Sequence, residues 1–368
     1  MKYYTSKNIR QKNAHYNLIF GERSNGKTFD ILREGVKDYF ESGCVNQLAL
    51  VRRFAEDFEG ATSARSSYNS LMHDGKGKNQ IALLSKGVYD GVEYYAGKYY
   101  LTIWDGEKQK SLRTDKVIAY GFALTSAEHY KSGSFPHIKT ILFDEFMTRR
   151  FYLPEEFVTF LNLVSTIVRQ RDDVKIFMCG NTVNKYCPYF KEMGLYRVKD
   201  MKQGDIDVYT YGESGLLVAV EYSDSPSKKK ASDVYFAFNN PRLEMIKSGA
   251  WELDIYPHCP YKYKPKDVLF TFFICFDDNI LQCEVIRSDR IRFLFIHPKT
   301  TPLKDTDNDL IFSTEYDPRP NWRRFITKPT YPVEKKIAQL FVENKVFYSD
   351  NETGEIVRNY LIWCKKGV

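Results

Sequence analysis

The sequence lacks the features that mark secreted, membrane-embedded and disulfide-stapled proteins. Its longest strongly apolar run, Val268 to Phe276, is far short of the ~20 residues that a membrane helix requires. The amino-terminal segment MKYYTSKNIRQKN is polar and basic and has no apolar core, so no secretory signal is predicted. The 7 cysteines are odd in number and include no C-x-x-C pair, which predicts a reducing compartment and no zinc site. We therefore expect a soluble intracellular protein.

Low complexity and strong charge of one sign are also missing. Gly 21 and Pro 14 are ordinary counts for 368 residues, and 43% hydrophobic with 27% charged residues excludes a disordered chain. The formal net charge of +7 favours a polyanionic partner without requiring one. At roughly 100–200 residues per domain, the length predicts two domains.

The first part of the chain alternates short apolar strands with amphipathic helices. This alternation predicts an α/β domain over residues 1–200, with a parallel sheet covered by helices. Between residues 54 and 138 the pattern is interrupted by a Gly- and Tyr-rich insert that is typical of β-hairpins. The strands are expected near 15–20, 47–53, 139–146 and 174–180, and the helices near 27–41 and 155–170.

A Ser-, Lys- and Pro-rich stretch, residues 223–232, divides the chain because such a composition is typical of exposed linkers. We expect a linker region over residues 201–232 and a second domain over 233–368. In that domain three closely spaced apolar runs, joined by polar turns, predict an antiparallel meander. Two helices are expected after it, which makes the second domain α+β.

The strongest motif is a complete Walker A pattern directly after the strand near residues 15–20. In such a loop backbone N–H groups surround phosphates, and the positive end of the following helix faces them. Lys27 is expected to reach the β- and γ-phosphates, and the Thr28 hydroxyl to bind Mg²⁺. The predicted nucleotide-binding residues are Gly21, Glu22, Arg23, Ser24, Asn25, Gly26, Lys27 and Thr28.

Two adjacent carboxylates, Asp144 and Glu145, follow a buried-type strand in the segment TILFDEF. Acids at the end of a central strand are costly unless a metal ion or a proton uses them. Asp144 is predicted to bind Mg²⁺ and Glu145 to polarise the attacking water, a pair typical of hydrolases that use ATP for mechanical work.

Several other polar residues follow predicted strands or helices. Arg169 and Arg171, at the end of the helix near 155–170, either complement the helix dipole or include an arginine finger for a neighbouring subunit. Asn181 follows the strand near 174–180 and either senses the γ-phosphate or forms a turn. Arg52 and Arg53 end the second strand, where they either line the nucleotide crevice or are solvated.

Five segments occur together and in order: GERSNGKT, LVRRF, SFPHIKTILFDEF, FLNLVSTIVRQR and CGNTVNKYCPYF. This set resembles the genome-packaging ATPases of small protein-primed (phi29-like) tailed phages, over most of residues 15–190. That family belongs to the additional-strand, catalytic-glutamate ATPases. The resemblance implies a P-loop ATPase domain of this type, followed by a smaller RNase H-like domain that has lost nuclease activity. The missing carboxylate within the run Val268 to Phe276 agrees with that loss.

The resemblance also implies a function and its partners. We expect a ring of five copies that docks on a viral portal and drives double-stranded DNA into a prohead with ATP and Mg²⁺. It implies that Asp144 and Glu145 are the Walker B acid and the catalytic glutamate, that Arg169 is the preferred trans finger with Arg171 in reserve, and that Arg52 and Arg53 lie near a lid that contacts the neighbour. A structural packaging RNA is a possible partner, and the expected location is the host cytoplasm, with transient attachment to the prohead.

Nothing in the sequence identifies the DNA contacts with the same strength. A motor that moves along any sequence is expected to grip phosphates, and Lys76, Lys78 and Lys98 of the insert are the candidates, with a solvated hairpin as the alternative. Three other functions remain open: another DNA translocase or helicase, a terminase with a live nuclease, and a scaffold protein that only binds nucleotide.

Overall fold

The structure is a computed structural model that divides into two compact units, residues 1–251 and 252–368. It describes residues 4–23, 25–59, 66–74, 77–148, 152–153, 155–181, 187–224, 256–276, 279–288 and 291–366. In the described part of the chain no helix is long and apolar enough to cross a membrane.

A nine-stranded sheet organises the first unit, in the order β3-β4-β5-β2-β6-β7-β1-β9-β8. All neighbouring strands from β5 to β9 in this order pair in parallel, and antiparallel pairs occur only toward the two edges. The predicted parallel α/β sheet is thus present. Its strands are β1 (Tyr16–Gly21), β2 (Gln47–Arg52), β3 (Gly91–Tyr95), β4 (Lys98–Asp105), β5 (Lys110–Ala123), β6 (Ile138–Asp144), β7 (Lys175–Asn181), β8 (Ile206–Tyr211) and β9 (Leu216–Tyr222).

Helices cover both faces of this sheet because each has one apolar stripe. On one face the second helix buries Ile31, Leu32 and Val36, and on the other the fifth buries Phe160 and Leu163. The helices are α1 (Lys7–Arg10), α2 (Lys27–Glu41), α3 (Asn69–Met72), α4 (Gln80–Leu84), α5 (Glu156–Val168) and α6 (Pro188–Glu192).

Two predicted boundaries of the first domain need correction. The insert over residues 54–138 contains the expected hairpins, but they are not separate from the sheet, since β5 pairs in parallel with β2. The region 201–232 is not all linker: β8 and β9 form a hairpin, and β9 pairs in parallel with β1. The apolar run of β9 supplies buried side chains to the core, whereas the Ser- and Lys-rich residues after 224 lie outside the described residues.

The second unit is α+β, as predicted, and holds a six-stranded sheet in the order β14-β13-β10-β11-β12-β15. Its first three strands form the predicted antiparallel meander, and β13 and β15 are added in parallel to β10 and β12. The strands are β10 (Val268–Phe276), β11 (Asn279–Ser288), β12 (Ile291–Pro298), β13 (Ile311–Ser313), β14 (Trp322–Arg323) and β15 (Val346–Tyr348), and the helices are α7 (Pro332–Val342) and α8 (Asn351–Lys366).

Candidate functional site

The loop between β1 and α2 has a glycine at each of its ends. Gly26 has a φ of 98° and directly precedes α2, so the amino-terminal turn of that helix faces the loop. Gly21 ends β1. Arg23 is exposed and Asn25 is buried, whereas Ser24 lies outside the described residues.

Lys27 is folded back onto its own loop. Its Nζ donates hydrogen bonds to the Glu22 carbonyl oxygen (2.6 Å) and to Asn25 Oδ1 (3.1 Å). The side chain is almost fully buried, and this burial lowers the pKa of Lys27 to about 8, against the opposing effect of nearby acids that include Asp144. A buried lysine whose ammonium group is held by two oxygens can exchange them for the oxygens of a phosphate.

Thr28 and Asp144 come together across the sheet, although 116 positions separate them. Thr28 Oγ1 donates a 2.6 Å hydrogen bond to Asp144 Oδ1. Asp144 ends β6 and is nearly buried, and this burial raises the pKa of its carboxyl group while Arg52 and Thr28 oppose the change. A hydroxyl and a carboxylate oxygen at this spacing are ligands that suit Mg²⁺, so the donor set fits that ion.

Glu145 follows β6 in a left-handed backbone conformation, with φ of 60°. This conformation is uncommon for a residue other than glycine and is often kept at functional positions. The Glu145 side chain is 65% exposed, so it is open to solvent beside the almost buried Asp144. Sequence reasoning expected both acids at this strand end, and the structure places them there.

Arg52 is the cation nearest to both acids. One guanidinium nitrogen lies 3.0 Å from Asp144 Oδ2 and the other lies 2.9 Å from Glu145 Oε2. Its Nε is buried without a hydrogen-bond partner among the described residues. Arg52 therefore belongs to the site of its own chain in this conformation, and it neutralises the two carboxylates together.

Arg53 faces away from the site and ties three segments together. Its guanidinium group forms a two-pronged ion pair with Glu156 (2.7 and 2.8 Å) and donates to the carbonyl oxygens of Glu145 (3.2 Å) and Phe146 (2.7 Å). The Tyr189 hydroxyl donates to the same Glu156 (2.8 Å). Arg53 is buried, so this conformation gives it a structural contact beneath Glu145, and it is neither solvated nor turned toward the two acids.

Asn181 lies at the same edge of the sheet as the phosphate-binding loop. It ends β7, is half-buried, and is the register partner of Gly21 on β1. Two residues before it, Cys179 is the partner of Asp144 on β6. The strand that carries Asn181 thus lies between the strand of the loop and the strand of the acids.

Arg169 and Arg171 lie at the opposite edge of the sheet, beside the beginning of β6. Arg171 donates to five carbonyl oxygens, among them those of Pro136 and Ile138 (both 2.8 Å), and so fastens the end of α5 to the sheet. Arg169 is exposed and its guanidinium group donates to the Gly133 carbonyl oxygen (2.5 Å). The structure therefore distinguishes two arginines that the sequence left equivalent.

The candidate DNA contacts are spread over the hairpin region. Lys98 begins β4 and its ammonium group lies 5.9 Å from the centre of the Tyr120 ring. Lys78 is exposed and its backbone N–H donates to Asp74 Oδ1 (3.0 Å), whereas Lys76 lies outside the described residues.

The site residues that sequence reasoning missed lie on β9 and at the amino terminus. Ser223, just after β9, contacts both Gly21 and Asn25 of the loop, and the backbone N–H of Tyr4 donates to the Asn25 carbonyl oxygen (3.0 Å). The apolar run of β9 was a readable strand signal, but its position beside β1 was not.

Comparisons with known proteins relate the chain to phage DNA packaging proteins. Residues 107–225 match the family of podovirus DNA encapsidation proteins (Gp16). A DNA packaging protein of Bacillus phage B103 is 24% identical over 182 residues, which cover 49% of this chain and 48% of that protein. The chain thus aligns with about half the length of this relative.

Two solved structures share the fold over nearly the whole chain. The match to the Phi-28 gp11 DNA packaging motor has a TM-score of 0.53 at 20% identity and covers 99% of this chain and 98% of the motor chain. The match to the bacteriophage Phi-29 genome packaging motor assembly has a TM-score of 0.55 at 17% identity and covers 97% of this chain and 96% of the assembly's chain. The resemblance to phage packaging proteins that the sequence indicated is therefore confirmed, and the mixed α/β fold with a large, mainly parallel sheet is the fold of these proteins.

Proposed function

We propose, from this resemblance and from the site, that the chain is an ATP-hydrolysing motor subunit that drives double-stranded DNA into a viral prohead. The observation that carries the proposal is the convergence of four side chains at one edge of the sheet: Lys27, Thr28, Asp144 and Glu145. A protein that only clamps nucleotide has no need of the second carboxylate, which is the group that orients and polarises water in ATP hydrolysis.

The order of the strands supports an ATPase of the additional-strand, catalytic-glutamate type. The strand of the phosphate-binding loop, β1, does not pair with the strand of the acids, β6, because β7 lies between them. An inserted strand at this place is the feature from which that group of ATPases takes its name. Asn181, at the end of the inserted strand, is in position to contact the γ-phosphate or the attacking water.

The residues of this chain then have distinct tasks during hydrolysis. Lys27 exchanges the Glu22 and Asn25 oxygens for phosphate oxygens, and the backbone N–H groups at the start of α2 hold the phosphates. Thr28 and Asp144 would hold Mg²⁺, which when bound neutralises charge on the phosphates. Glu145 orients the attacking water and accepts its proton.

Arg52 has to move when the nucleotide binds, because its guanidinium group covers both carboxylates. In this conformation it supplies positive charge beside both acids. Its release leaves Asp144 free to bind the metal ion and Glu145 free to bind water, so we propose that Arg52 keeps the site inactive until nucleotide is present.

The position of Arg169 supports the proposal of a ring of copies, with ATP hydrolysed between neighbours. From Ile138 to Asp144, β6 spans roughly 20 Å, so an arginine beside its beginning cannot reach the nucleotide site of its own chain. Arg169 is exposed and is therefore the proposed trans finger, whereas Arg171 is held by its carbonyl contacts. We propose five copies by analogy with the packaging motors that this chain resembles.

The second unit supports an RNase H-like domain without nuclease activity. Its strand order β12-β11-β10-β13-β14, with the first three antiparallel and β13 and β14 added in parallel, is the order of that fold. The central strand β10 carries no carboxylate that could bind a metal pair. The proposed partners are double-stranded DNA, a viral portal and prohead, and a structural packaging RNA, and the proposed location is the cytoplasm of the infected host.

The test is ATP hydrolysis by the purified protein, with and without double-stranded DNA. We expect Glu145→Gln to reduce turnover by about a hundredfold or more while ATP still binds. Glu192→Gln, which alters an exposed carboxylate of α6, is the matched control and should leave turnover unchanged. Mixing Glu145→Gln subunits with Arg169→Ala subunits should restore part of the activity if the finger acts between neighbours.

The alternatives predict other results. ATP binding without turnover in the wild type would contradict the motor and favour a nucleotide-gated scaffold. Metal-dependent nicking of plasmid DNA would favour a terminase with a live nuclease. DNA-stimulated turnover by a protein that fails to support packaging into proheads would favour another DNA translocase or a helicase.

A further inference from the structure

Ser223 contacts the nucleotide-binding loop from behind, although it belongs to none of the ATPase motifs. It is fully buried, and its backbone N–H donates to the Phe20 carbonyl oxygen (2.8 Å) on the adjacent strand β1. Its hydroxyl oxygen accepts a hydrogen bond from Asn25 Nδ2 (3.0 Å). The backbone bond holds Ser223 beside the loop, and the side-chain bond joins its hydroxyl to Asn25.

Ser223 and Gly21 lie so close together that position 21 has no room for a side chain. A Cβ atom built on Gly21 would lie 2.1 Å from Ser223 Oγ and 3.1 Å from the Ser223 carbonyl oxygen. Only glycine allows β1 and the end of β9 to approach so closely at this point. Contact with the Ser223 hydroxyl is therefore a reason for glycine at position 21, in addition to the proposed contact with nucleotide.

Ser223 also sets the orientation of the Asn25 amide, and through it the position of Lys27. With Nδ2 committed to Ser223, Oδ1 faces Lys27 and accepts from both its backbone N–H (3.3 Å) and its Nζ (3.1 Å). The side-chain amide of Asn25 has one donor nitrogen and one acceptor oxygen. Because Ser223 accepts from the nitrogen, the oxygen is the atom that faces Lys27.

The backbone of Asn25 is held by the same strand through a second route. The Tyr4 backbone N–H donates to the Asn25 carbonyl oxygen (3.0 Å), and the Tyr4 hydroxyl donates to Glu221 Oε2 (2.7 Å) on β9. The end of β9 therefore holds the side chain of Asn25 through Ser223 and its backbone through Glu221 and Tyr4.

We propose that Ser223 is a positioning residue for nucleotide binding: through Asn25 it holds Lys27 in the place from which the lysine meets the phosphates. The inference rests on the proposed ATP-binding function of the loop. It assigns to the end of β9 a part in nucleotide affinity that no motif of this chain reveals.

The first experiment needs no nucleotide, so it remains decisive even if the proposed function fails. Amide hydrogen exchange is measured over residues 20–29 in the nucleotide-free protein for the wild type, Ser223→Ala and Ser85→Ala. Ser85 is the matched control, a buried hydroxyl that bonds only within the α4 region. Losing one buried hydrogen bond should speed exchange of the loop by about five- to thirtyfold in Ser223→Ala alone. Unchanged exchange, or an equal increase in both variants, would overturn the proposal.

The second experiment asks whether Ser223 acts through Asn25. ATP affinity is measured by calorimetric titration for the wild type, Ser223→Ala, Asn25→Ala and the double variant, with thermal unfolding as a check on folding. We expect Ser223→Ala to weaken ATP binding about five- to thirtyfold, and the double variant to bind no more weakly than Asn25→Ala. If the two losses multiply, Ser223 affects only general stability and the proposal is wrong. If the wild type binds no ATP, the proposed function fails, while the exchange measurement still tests the contact.

Discussion

Glu221 makes the stability of the first unit depend on pH in a way that one substitution can remove. The side chain lies on β9, is 7% exposed and accepts a hydrogen bond from the Tyr4 hydroxyl. Burial raises its pKa from 4.5 to about 7; Asp30 on α2 adds to the effect and Tyr4 opposes it. Cys179 on β7 also lies within electrostatic range. Glu221→Gln keeps the shape and the acceptor but removes the titration.

The size and sign of the effect follow from this pKa. Folded Glu221 binds its proton more tightly than the unfolded chain does, so its stabilising contribution is complete below pH 4.5 and is lost as the pH rises to 7. The full difference corresponds to about 3 kcal/mol, most of which falls between pH 5 and pH 8. For a unit of this size that change corresponds to a shift in Tm of roughly 5–10 °C.

The assay compares urea and thermal unfolding of the wild type and Glu221→Gln from pH 5 to pH 8. The quantity compared is the difference in free energy of unfolding between the two proteins, because the other titrating groups contribute equally to both. We expect the free energy of unfolding of the variant to rise by about 2–3 kcal/mol relative to the wild type across this range. Glu213→Gln, in the exposed turn between β8 and β9, is the control and should differ from the wild type by less than about 0.5 kcal/mol. A difference for Glu221→Gln that does not change with pH would refute the reasoning.

Three further substitutions test contacts around the site. Arg53→Ala leaves Glu156 as an unpaired buried carboxylate, so we expect a loss of about 3–5 kcal/mol in urea unfolding, and an unchanged midpoint would contradict the buried pair. Arg171→Ala removes several carbonyl contacts and should cost about 2–3 kcal/mol, whereas the exposed Arg169→Ala should cost less than about 1 kcal/mol; equal losses by the same assay would contradict this distinction. Gly21→Ala places a methyl group against the buried Ser223 hydroxyl and should lower stability by about 1–3 kcal/mol in thermal unfolding. An unchanged stability would contradict the close approach of β1 and the end of β9.

Much of the nucleotide site could be predicted from local patterns. A phosphate-binding loop is a contiguous motif, and its strand, turn and helix are each specified by neighbouring residues, so the helix predicted over 27–41 is present as Lys27–Glu41. The same holds for Asp144 and Glu145, which follow a buried strand directly. The meander of the second unit was predicted for the same reason, since short polar turns separate its apolar runs.

Predictions about arginines were weaker, because a positive charge at the end of an element does not reveal its partner. Arg52 and Arg53 are neighbours, but successive side chains of an extended segment point in opposite directions. Arg52 therefore meets the two acids of the site, while Arg53 meets Glu156 on the other side. Arg169 and Arg171 differ likewise in their carbonyl contacts, which depend on where α5 ends against the sheet.

By itself the sequence determined that a glycine-containing loop joins a strand to a helix, that two acids follow one another at the end of a buried strand, and that the chain has two units, because each depends on neighbouring residues or on periodicity. Only the tertiary structure decided that β9 pairs with β1 and that Ser223, in a stretch with the composition of a linker, is buried against Gly21. Contacts between residues some 200 positions apart depend on the register of strand pairing, and that register is set by the packing of the whole sheet.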